Sequence, residues 1–411
     1  MISAEEARNI ILGAATEIRV ETVPLLEAHH RILAADIHSK DDIPPFKNSS
    51  MDGFALRSSD TVGSSSKNIV ELKVLGEVAA GDVAGTSLQP MHAIRILTGA
   101  PLPIGADAVV PLENVEECHG VIRLSAYVAP GSCTREKGED IKKGDRVLLR
   151  GTRIEAAHLG VLASMGCTNI EIFRNPTMAI LTTGNELLSV AENLRDGKIR
   201  NSNSYSLRAL AEENDCEPID LGVARDNEEE LLQKVREGLK YDILVTSGGV
   251  SAGKYDYVLE SLKKAGVILK FWKVNIKPGM PLAFGTYTKD ERNALVFSLP
   301  GNPVSTVVTF LEFVKPCLEK MTSRYNGAPP VQLQAKLEHA LSKSDGKRHY
   351  HRGIVRSEKG ELHVRSTGNQ SSGVLSSLVK ANCLIILKEQ QSSIEGGGEV
   401  DIELLPWGRI E

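Results

Sequence analysis

At 411 residues the chain is too long for one hydrophobic core, so two to four domains are expected. A formal net charge of −5 excludes a general nucleic-acid coat, which needs a surplus of Lys and Arg against phosphate, and leaves room only for a local basic pocket. The apolar runs fall far short of a membrane span, residues 1–6 carry neither the basic nor the apolar region of a signal peptide, and six dispersed cysteines without a C-x-x-C pair point to a reducing cytoplasm rather than a disulfide framework or structural zinc.

Ser3-Ala4-Glu5-Glu6 reads as a capping box, and Ala7, Ile10, Ile11 and Ala14 follow at helical spacing, so an amphipathic first helix is expected. The stretch 41–55, with Pro44, Pro45 and a string of small polar residues, interrupts regular structure over several positions. From 69 to 154, short β-like runs (70–78, 93–97, 108–112, 121–128, 146–149) are punctuated by Gly and Pro, as in a small β-rich domain. Between 178 and 321 the texture changes. Strand candidates at 178–183, 217–222, 242–246, 267–274 and 294–299 alternate with helical patterns at 203–213, 227–239, 256–265 and 303–321, which predicts βαβ units and a parallel sheet. Asp226 stands where an N-cap of the 227–239 helix belongs, ahead of Glu228, Glu229 and Glu230. Residues 326–330 read as a linker, and the alternating short runs of 331–406 as a terminal β-barrel or sandwich.

Three strand ends carry glycine and hydroxyl groups: Thr182-Thr183-Gly184-Asn185-Glu186, Thr246-Ser247-Gly248-Gly249-Val250-Ser251 and Pro300-Gly301-Asn302. Glycine lets backbone N–H groups approach an anion, and ligands of an open parallel sheet bind outside the carboxyl ends of its strands. One such turn is an ordinary βα connection; three together point to one pocket for a polar or phosphorylated ligand. Glu186, Asp226 and Asp256 fall just after strands or at helix starts, where an acid is either a cap or, in such a pocket, a Mg²⁺ ligand beside substrate phosphate. Both readings stay open for Asp226, and Asp256, which closes the glycine loop, is the better metal candidate. Lys273, Asn275 and Lys277 alternate as on one side of an extended strand, where two ammonium groups could neutralise a dianion or simply be solvated. Lys347–Gly353 is a basic cluster whose default reading is a solvated strand. His349 and His351 form a weak metal pair there, with no third ligand at the usual spacing. The turn 367–373 could donate to an oxyanion or be a plain turn. A nucleophile elbow, an H-E-x-x-H run and a G-K-[ST] ending are all missing, which removes serine hydrolases, zinc proteases and P-loop kinases.

Taken in order, Pro44-Pro45-Phe46, Ser50-Met51-Asp52-Gly53-Phe54-Ala55, Leu97-Thr98-Gly99-Ala100-Pro101, Thr183-Gly184-Asn185-Glu186, Thr246-Ser247-Gly248-Gly249, Lys277-Pro278-Gly279 and Leu299-Pro300-Gly301-Asn302-Pro303 resemble the MoeA family across essentially the whole chain. Those proteins are molybdopterin molybdenumtransferases, related to plant Cnx and animal gephyrin E domains. The resemblance implies a multidomain, elongated chain of α/β plus all-β domains: domain I at 1–45 and 141–176, a β-rich insertion at 46–140, a molybdopterin-binding, MogA-like α/β domain at 177–326 and a small β-barrel at 327–411. It implies insertion of molybdate into adenylylated molybdopterin, with Mg²⁺-dependent cleavage of the pyrophosphate link and release of AMP. It further implies a cytoplasmic homodimer with an intersubunit active site, partnered by a MogA-like adenylyltransferase and by proteins that target molybdoenzymes, with no nucleic acid and no membrane. Residue by residue, it assigns catalysis to Asp52, Thr98, Asp140, Lys273, Lys277, Arg352 and Ser371 or Ser372. The cofactor falls to Thr183, Gly184, Ser247, Gly248, Gly249, Ser251, Pro300, Gly301 and Asn302, and the metal to Glu186, Asp226 and Asp256. Where many relatives have a further lysine in the Lys-Pro-Gly-Lys-Pro run, this chain has Met280. The alternatives are the adenylyltransferase step, for which half the chain is surplus, and a non-catalytic scaffold of the gephyrin type.

Overall fold

Ser3 starts the first helix, α1 (Ala4–Ala14), by accepting a hydrogen bond from the Glu6 N–H on its Oγ at 3.0 Å. The computed structural model describes residues 1–82, 85, 87–225, 227–249, 257–290, 292–325 and 332–410. They divide into two units, Met1–Thr22 with His30–Ala34 and Glu171–Glu411, and Val23–His29 with Ala35–Ile170.

The smaller unit is built on β1 (Gly53–Leu56), β2 (Val70–Val78), β3 (His92–Ile96), β4 (Ala108–Pro111), β5 (Glu116–Cys118) and β6 (Val121–Leu124), in the sheet order β4-β1-β3-β2-β6-β5. Only β2 and β3 run parallel; the other pairs are antiparallel. Side chains of a strand alternate between faces. Accordingly Phe54, Leu56, Leu72, Val110 and Ile122 share one core, while Ala55, Ile94, Ile96 and Val109 fill another on the opposite face. Each large side chain so buried contributes about 1.5–3 kcal/mol. Gly53 is forced by contact: a Cβ there would stand 2.0 Å from the Val110 carbonyl oxygen. The helix α2 (Ala156–Ser164) lies in the same unit.

In the larger unit, β7 (Thr177–Thr183), β8 (Glu217–Ala224), β9 (Ile243–Ser247), β10 (Ile268–Trp272), β11 (Ile276–Lys277), β12 (Ala283–Lys289) and β13 (Arg292–Leu299) alternate with α3 (Asn203–Glu213), α4 (Glu228–Gly238) and α5 (Tyr257–Lys264). Six of these strands form a sheet in the order β8-β7-β9-β13-β12-β10. The first four are parallel, as expected, and β9 is buried along its whole length, the habit of a strand covered on both faces. The expected parallel sheet carries an antiparallel edge. There β10 and β12 run antiparallel, and β12 is a strand the sequence reading passes over. Met178, Ile180, Val245 and Phe297 pack with α1 and α3 on one face; Ala179, Leu181, Leu244 and Val296 pack with α4 and α5 on the other.

Two expectations are corrected here. The side chain that caps α4 is Asn227, whose Oδ1 accepts from Glu229 and Glu230 N–H at 3.0 and 3.1 Å, so the helix begins at Glu228; Asp226 lies outside the described residues. The single helix expected over 303–321 is α6 (Pro303–Thr309), a π-helical turn (Phe310–Val314) and α7 (Lys315–Met321). Pro316 lacks the N–H that an uninterrupted α-helix would use, and the wider turn precedes it. That turn carries the buried Glu312, paired to Arg8 of α1 at 2.8 Å. Burial pushes its carboxyl up to about 8, against the pull of Arg8.

The chain ends in a closed barrel of β14 (Leu333–Leu337), β15 (Arg348–Glu358), β16 (Glu361–Ser366), β17 (Cys383–Leu387) and β18 (Glu399–Leu404), ordered β15-β16-β14-β18-β17 with β17 paired back onto β15. Ala335, Leu337, Val355, Val364, Ile385 and Ile402 are part of its core. The short strand β11 extends this sheet by pairing in parallel with β15, Ile276 beside Arg348 and Lys277 beside His349.

Candidate active site

The parallel neighbours β7, β9 and β13 deliver their carboxyl ends side by side, and the turns that follow line one cavity of about 770 Å³. Thr183, Gly184, Glu186, Ser247, Gly248, Gly249, Pro300, Gly301 and Asn302 all lie in its wall. Gly248 has φ +98°, and a Cβ would sit 2.6 Å from the Thr183 carbonyl oxygen; at Gly249, φ +67°, it would meet Val258 at 2.4 Å. Only glycine brings these backbones so close. Two asparagines that the sequence reading missed tie the turns together. Asn203 Nδ2 donates to Ser247 Oγ at 2.9 Å and to the Gly301 carbonyl at 2.8 Å, while Asn201 Nδ2 donates to Thr182 Oγ1 at 2.8 Å. Their signal was the polar run Asn201-Ser202-Asn203-Ser204 ahead of α3. Thr183 Oγ1 is buried with no partner among the described residues, so the wall holds a polar atom that the protein leaves for something else to satisfy.

A second cavity, of about 550 Å³, opens at the barrel and is lined by Lys277, Pro278, Lys343, Asp345, His349, His351, Arg352, Gln370 and Ser371, among others. Arg352 is 1 % exposed. Its Nε donates to Ser377 Oγ of α8 (Ser376–Lys380) at 3.1 Å and its Nη2 to the Ser371 carbonyl at 3.2 Å. Gln370 fixes its backbone from both sides, accepting from Arg352 N and donating to Arg352 O at 2.8 and 3.1 Å. Among the described residues no carboxylate pairs with Arg352, although burial lowers the guanidinium to about 10, still protonated at neutral pH. A buried cation satisfied only by neutral oxygens is prepared for an anion. Lys277 adds an exposed charge to the wall, with Nζ 3.9 Å from Asp345 Oδ2. The two cavities share walls. The run 277–281 places Lys277 and Pro278 in one and Pro281 in the other, and the turn 370–375 places Ser371 in one and Gly373 and Leu375 in the other. The turn is anchored by the Val304 N–H at the start of α6, which donates to the Ser372 carbonyl at 3.1 Å.

The default reading of Lys347–Gly353 as a solvated strand is therefore corrected: β15 buries His349, Tyr350 and Arg352. So is the isolation of the histidine pair, because Asp345 Oδ1 lies 2.7 Å from His349 Nε2. The alternation of Lys273 and Lys277 on one strand face is also corrected. Lys273 takes φ +74° between β10 and β11, and its ammonium lies over the Trp272 ring, 4.1 Å from the centroid, so it lines neither cavity.

In the smaller unit, Asp52 Oδ1 accepts from both the N–H and the Oγ1–H of Thr98, each at 2.7 Å. The Thr98 hydroxyl, then its N–H, holds this exposed carboxyl below the usual range. Asp140 is exposed, with its backbone N–H on the Ile43 carbonyl. Glu186 is exposed and is the acid among the described residues lining the strand-end cavity. Ser251, Asp226 and Asp256 lie outside the described residues.

Fold and cavities together define the class: an α/β ligand-binding domain joined to a barrel, the arrangement that three family models match in order. These are the MoeA N-terminal region (domain I and II) over residues 2–166, a probable molybdopterin binding domain over 179–320 and the MoeA C-terminal region (domain IV) over 334–405. The chain is 37% identical over 407 residues to a molybdopterin molybdenumtransferase of Haemophilus influenzae, covering 98% of each, and 34% identical over 414 residues to one of Nostoc, covering 99% of this chain and 94% of that one. The crystal structure of a molybdopterin biosynthesis moeA protein from Pyrococcus horikoshii superposes with TM-score 0.83 at 33% identity, over 98% of this chain and 100% of that one. The chain belongs to the MoeA family.

Proposed function

We infer that the protein is a molybdopterin molybdenumtransferase that inserts molybdate into adenylylated molybdopterin during molybdenum cofactor biosynthesis. The observation that carries this reading is the pair of cavities with common walls. One is made of backbone and hydroxyls at three strand ends, suited to a pterin phosphate. The other is made around an arginine without a counter-ion, suited to a tetrahedral dianion. Thr183, Ser247, Gly248, Gly249, Gly301 and Asn302 bind and orient the pterin; Arg352, Lys277 and Ser371 bind molybdate. Glu186, with Asp226 and Asp256, would hold Mg²⁺, which supplies positive charge at the pyrophosphate when it is cleaved and AMP leaves. Of this set Glu186 lines the strand-end cavity, and Mg²⁺ takes few carboxylates while keeping substrate oxygens and water as its other ligands. Asp52, Thr98 and Asp140 are assigned to the same reaction. A cytoplasmic homodimer belongs to this reading, as do four domains at 1–45 with 141–176, 46–140, 177–326 and 327–411. So do exchanges with an adenylyltransferase and with the proteins that receive the cofactor.

The test is incubation of purified protein with adenylylated molybdopterin, Mg²⁺ and molybdate, followed by chromatography of the nucleotide. AMP release that requires molybdate is the expected result; release of AMP at the same rate without molybdate would overturn the insertase assignment.

A further inference from the structure

One nitrogen in the barrel cavity lacks an explanation. His349 Nε2 lies 2.7 Å from Asp345 Oδ1, and His349 Nδ1 lies 3.3 Å from His351 Nε2. A carboxylate only accepts, so His349 Nε2 carries the proton. Nδ1 of a neutral His349 must then accept, and His351 Nε2 donates to it. This leaves His351 Nδ1 as a bare lone pair, on a buried atom with no partner among the described residues, in the wall that also holds Arg352 and Lys277. The groups around the pair are Asp345, Lys343 and Lys347 from the preceding turn, Lys277 from β11 and Arg352 from β15 itself. Four cations beside one carboxylate disfavour a metal ion between the imidazoles and favour an anion with a protonated oxygen facing Nδ1. Burial, then His349, Arg352, Lys277 and Lys343, lower His351 to about 4, so it is a neutral base at pH 7.

Molybdate makes use of such a base. An oxide leaves the metal only as water and must take up two protons to do so, while two incoming thiols carry two protons to lose. In the balanced exchange, MoO₄²⁻ + R(SH)₂ → R(S)₂MoO₃²⁻ + H₂O, two S–H bonds and one Mo–O link break. Two Mo–S and two O–H bonds form, with no change of oxidation state. We propose that Asp345, His349 and His351 form a proton relay for this exchange, in which His351 Nδ1 takes each thiol proton in turn and passes it to the departing oxide. The inference rests on the molybdenum-insertion reading above. When Nδ1 is protonated, the proton on Nε2 shifts toward His349 and Asp345, so the positive charge is held next to a carboxylate instead of next to Arg352.

The experiment compares full-length wild type with His351→Gln, Asp345→Asn and His351→Gly. Equilibrium dialysis reads the binding of molybdate alone, and insertion into adenylylated molybdopterin reads the rate. His351→Gln is expected to bind molybdate within about twofold of wild type yet insert it about 100-fold more slowly, the usual scale of general acid–base catalysis. Asp345→Asn is expected to slow insertion about tenfold, and added imidazole to restore part of the rate to His351→Gly. Insertion by His351→Gln within twofold of wild type overturns the relay. Equal losses of binding and rate overturn it too, by making His351 a holder of the anion. Stoichiometric zinc binding by wild type that His351→Gln abolishes overturns it in favour of a metal pair. A wild type that inserts nothing counts against the molybdenum-insertion reading itself.

Discussion

The strand-end pocket and the barrel cavity share two walls and are made of different material. The first is walled by backbone: glycines with positive φ, a Thr183 hydroxyl with no partner among the described residues, and asparagine amides that tie Ser247 to Gly301 and hold Thr182. The second is walled by charge: a buried guanidinium, an exposed ammonium and two imidazoles on one strand. The first suits a large ligand whose phosphate needs many directed N–H groups, and the second a compact anion whose charge outweighs its shape. Under the proposed function, two substrates of unlike size would draw on different donors.

Breaking this division should be easiest at Arg352. Arg352→Ala removes the cation that, among the described residues lining this cavity, is buried and held in place, so molybdate affinity in equilibrium dialysis should fall about 100-fold, on the scale of a lost charged hydrogen bond of about 1.5–3 kcal/mol. Binding of the pterin to the same variant should stay within about twofold, and a matching loss there would show that the cavities are one site. Gly248→Ala is the converse. Its Cβ meets the Thr183 carbonyl in a left-handed backbone, so pterin affinity should fall about tenfold or more and denaturant unfolding should show a loss of about 1–3 kcal/mol, with molybdate binding retained. Lys277→Ala sharpens the contrast between held and exposed charge. Its side chain is 63% exposed, so molybdate affinity should drop less than tenfold, and the difference from wild type should shrink as salt is raised. The smallest effect belongs to the other unit. Thr98→Val deletes the largest cause of the lowered Asp52 carboxyl, and an NMR titration should show Asp52 moving up toward the ordinary carboxylate value. A depressed carboxyl lends stability that is present above its unfolded value and is lost as pH falls through the folded one. The variant should therefore be slightly less stable than wild type at pH 7, and the difference should vanish as pH falls through the Asp52 titration.

The two cavities differ in the same way in how far they could be read from sequence. The glycine turns and their placement at strand ends were legible, because positive φ and close approach leave few residue choices and a parallel sheet puts strand ends together. Membership of a barrel was legible for the last segment from its short alternating runs. The barrel cavity was legible only in part: the spacing of Lys273 and Lys277 pointed to an anion partner, and family resemblance supplied Arg352. Composition argued the other way, because Lys347-Arg348-His349-Tyr350-His351-Arg352 looks solvated until closure of the barrel, and its contact with β11, bury half of it. Asp345 escaped notice because it reaches His349 across a turn at Gly346, φ +64°, instead of along a regular element. Lys273 was misplaced for a related reason: a lysine gives no sign that it will take a left-handed backbone, and one such residue resets the alternation after it. The cap of α4 went to Asn227 over its acidic neighbour, a difference of one position that propensity does not resolve.

The two-residue pairing of β11 with β15 bears on how such a protein can be taken apart and recombined. Ile276 and Lys277 belong to the α/β segment by chain position but to the barrel sheet by hydrogen bonding. A barrel exchanged for that of a relative would arrive without its sixth strand and would have to accept a foreign one. Register then becomes decisive, since a slip of one residue turns Lys277 away from His349 and out of the cavity. A working hybrid therefore has to carry residues 276–277 along with the barrel. The natural module for exchange is discontinuous: the five strands from Leu333 to Leu404, together with the dipeptide 276–277 that precedes them in the chain.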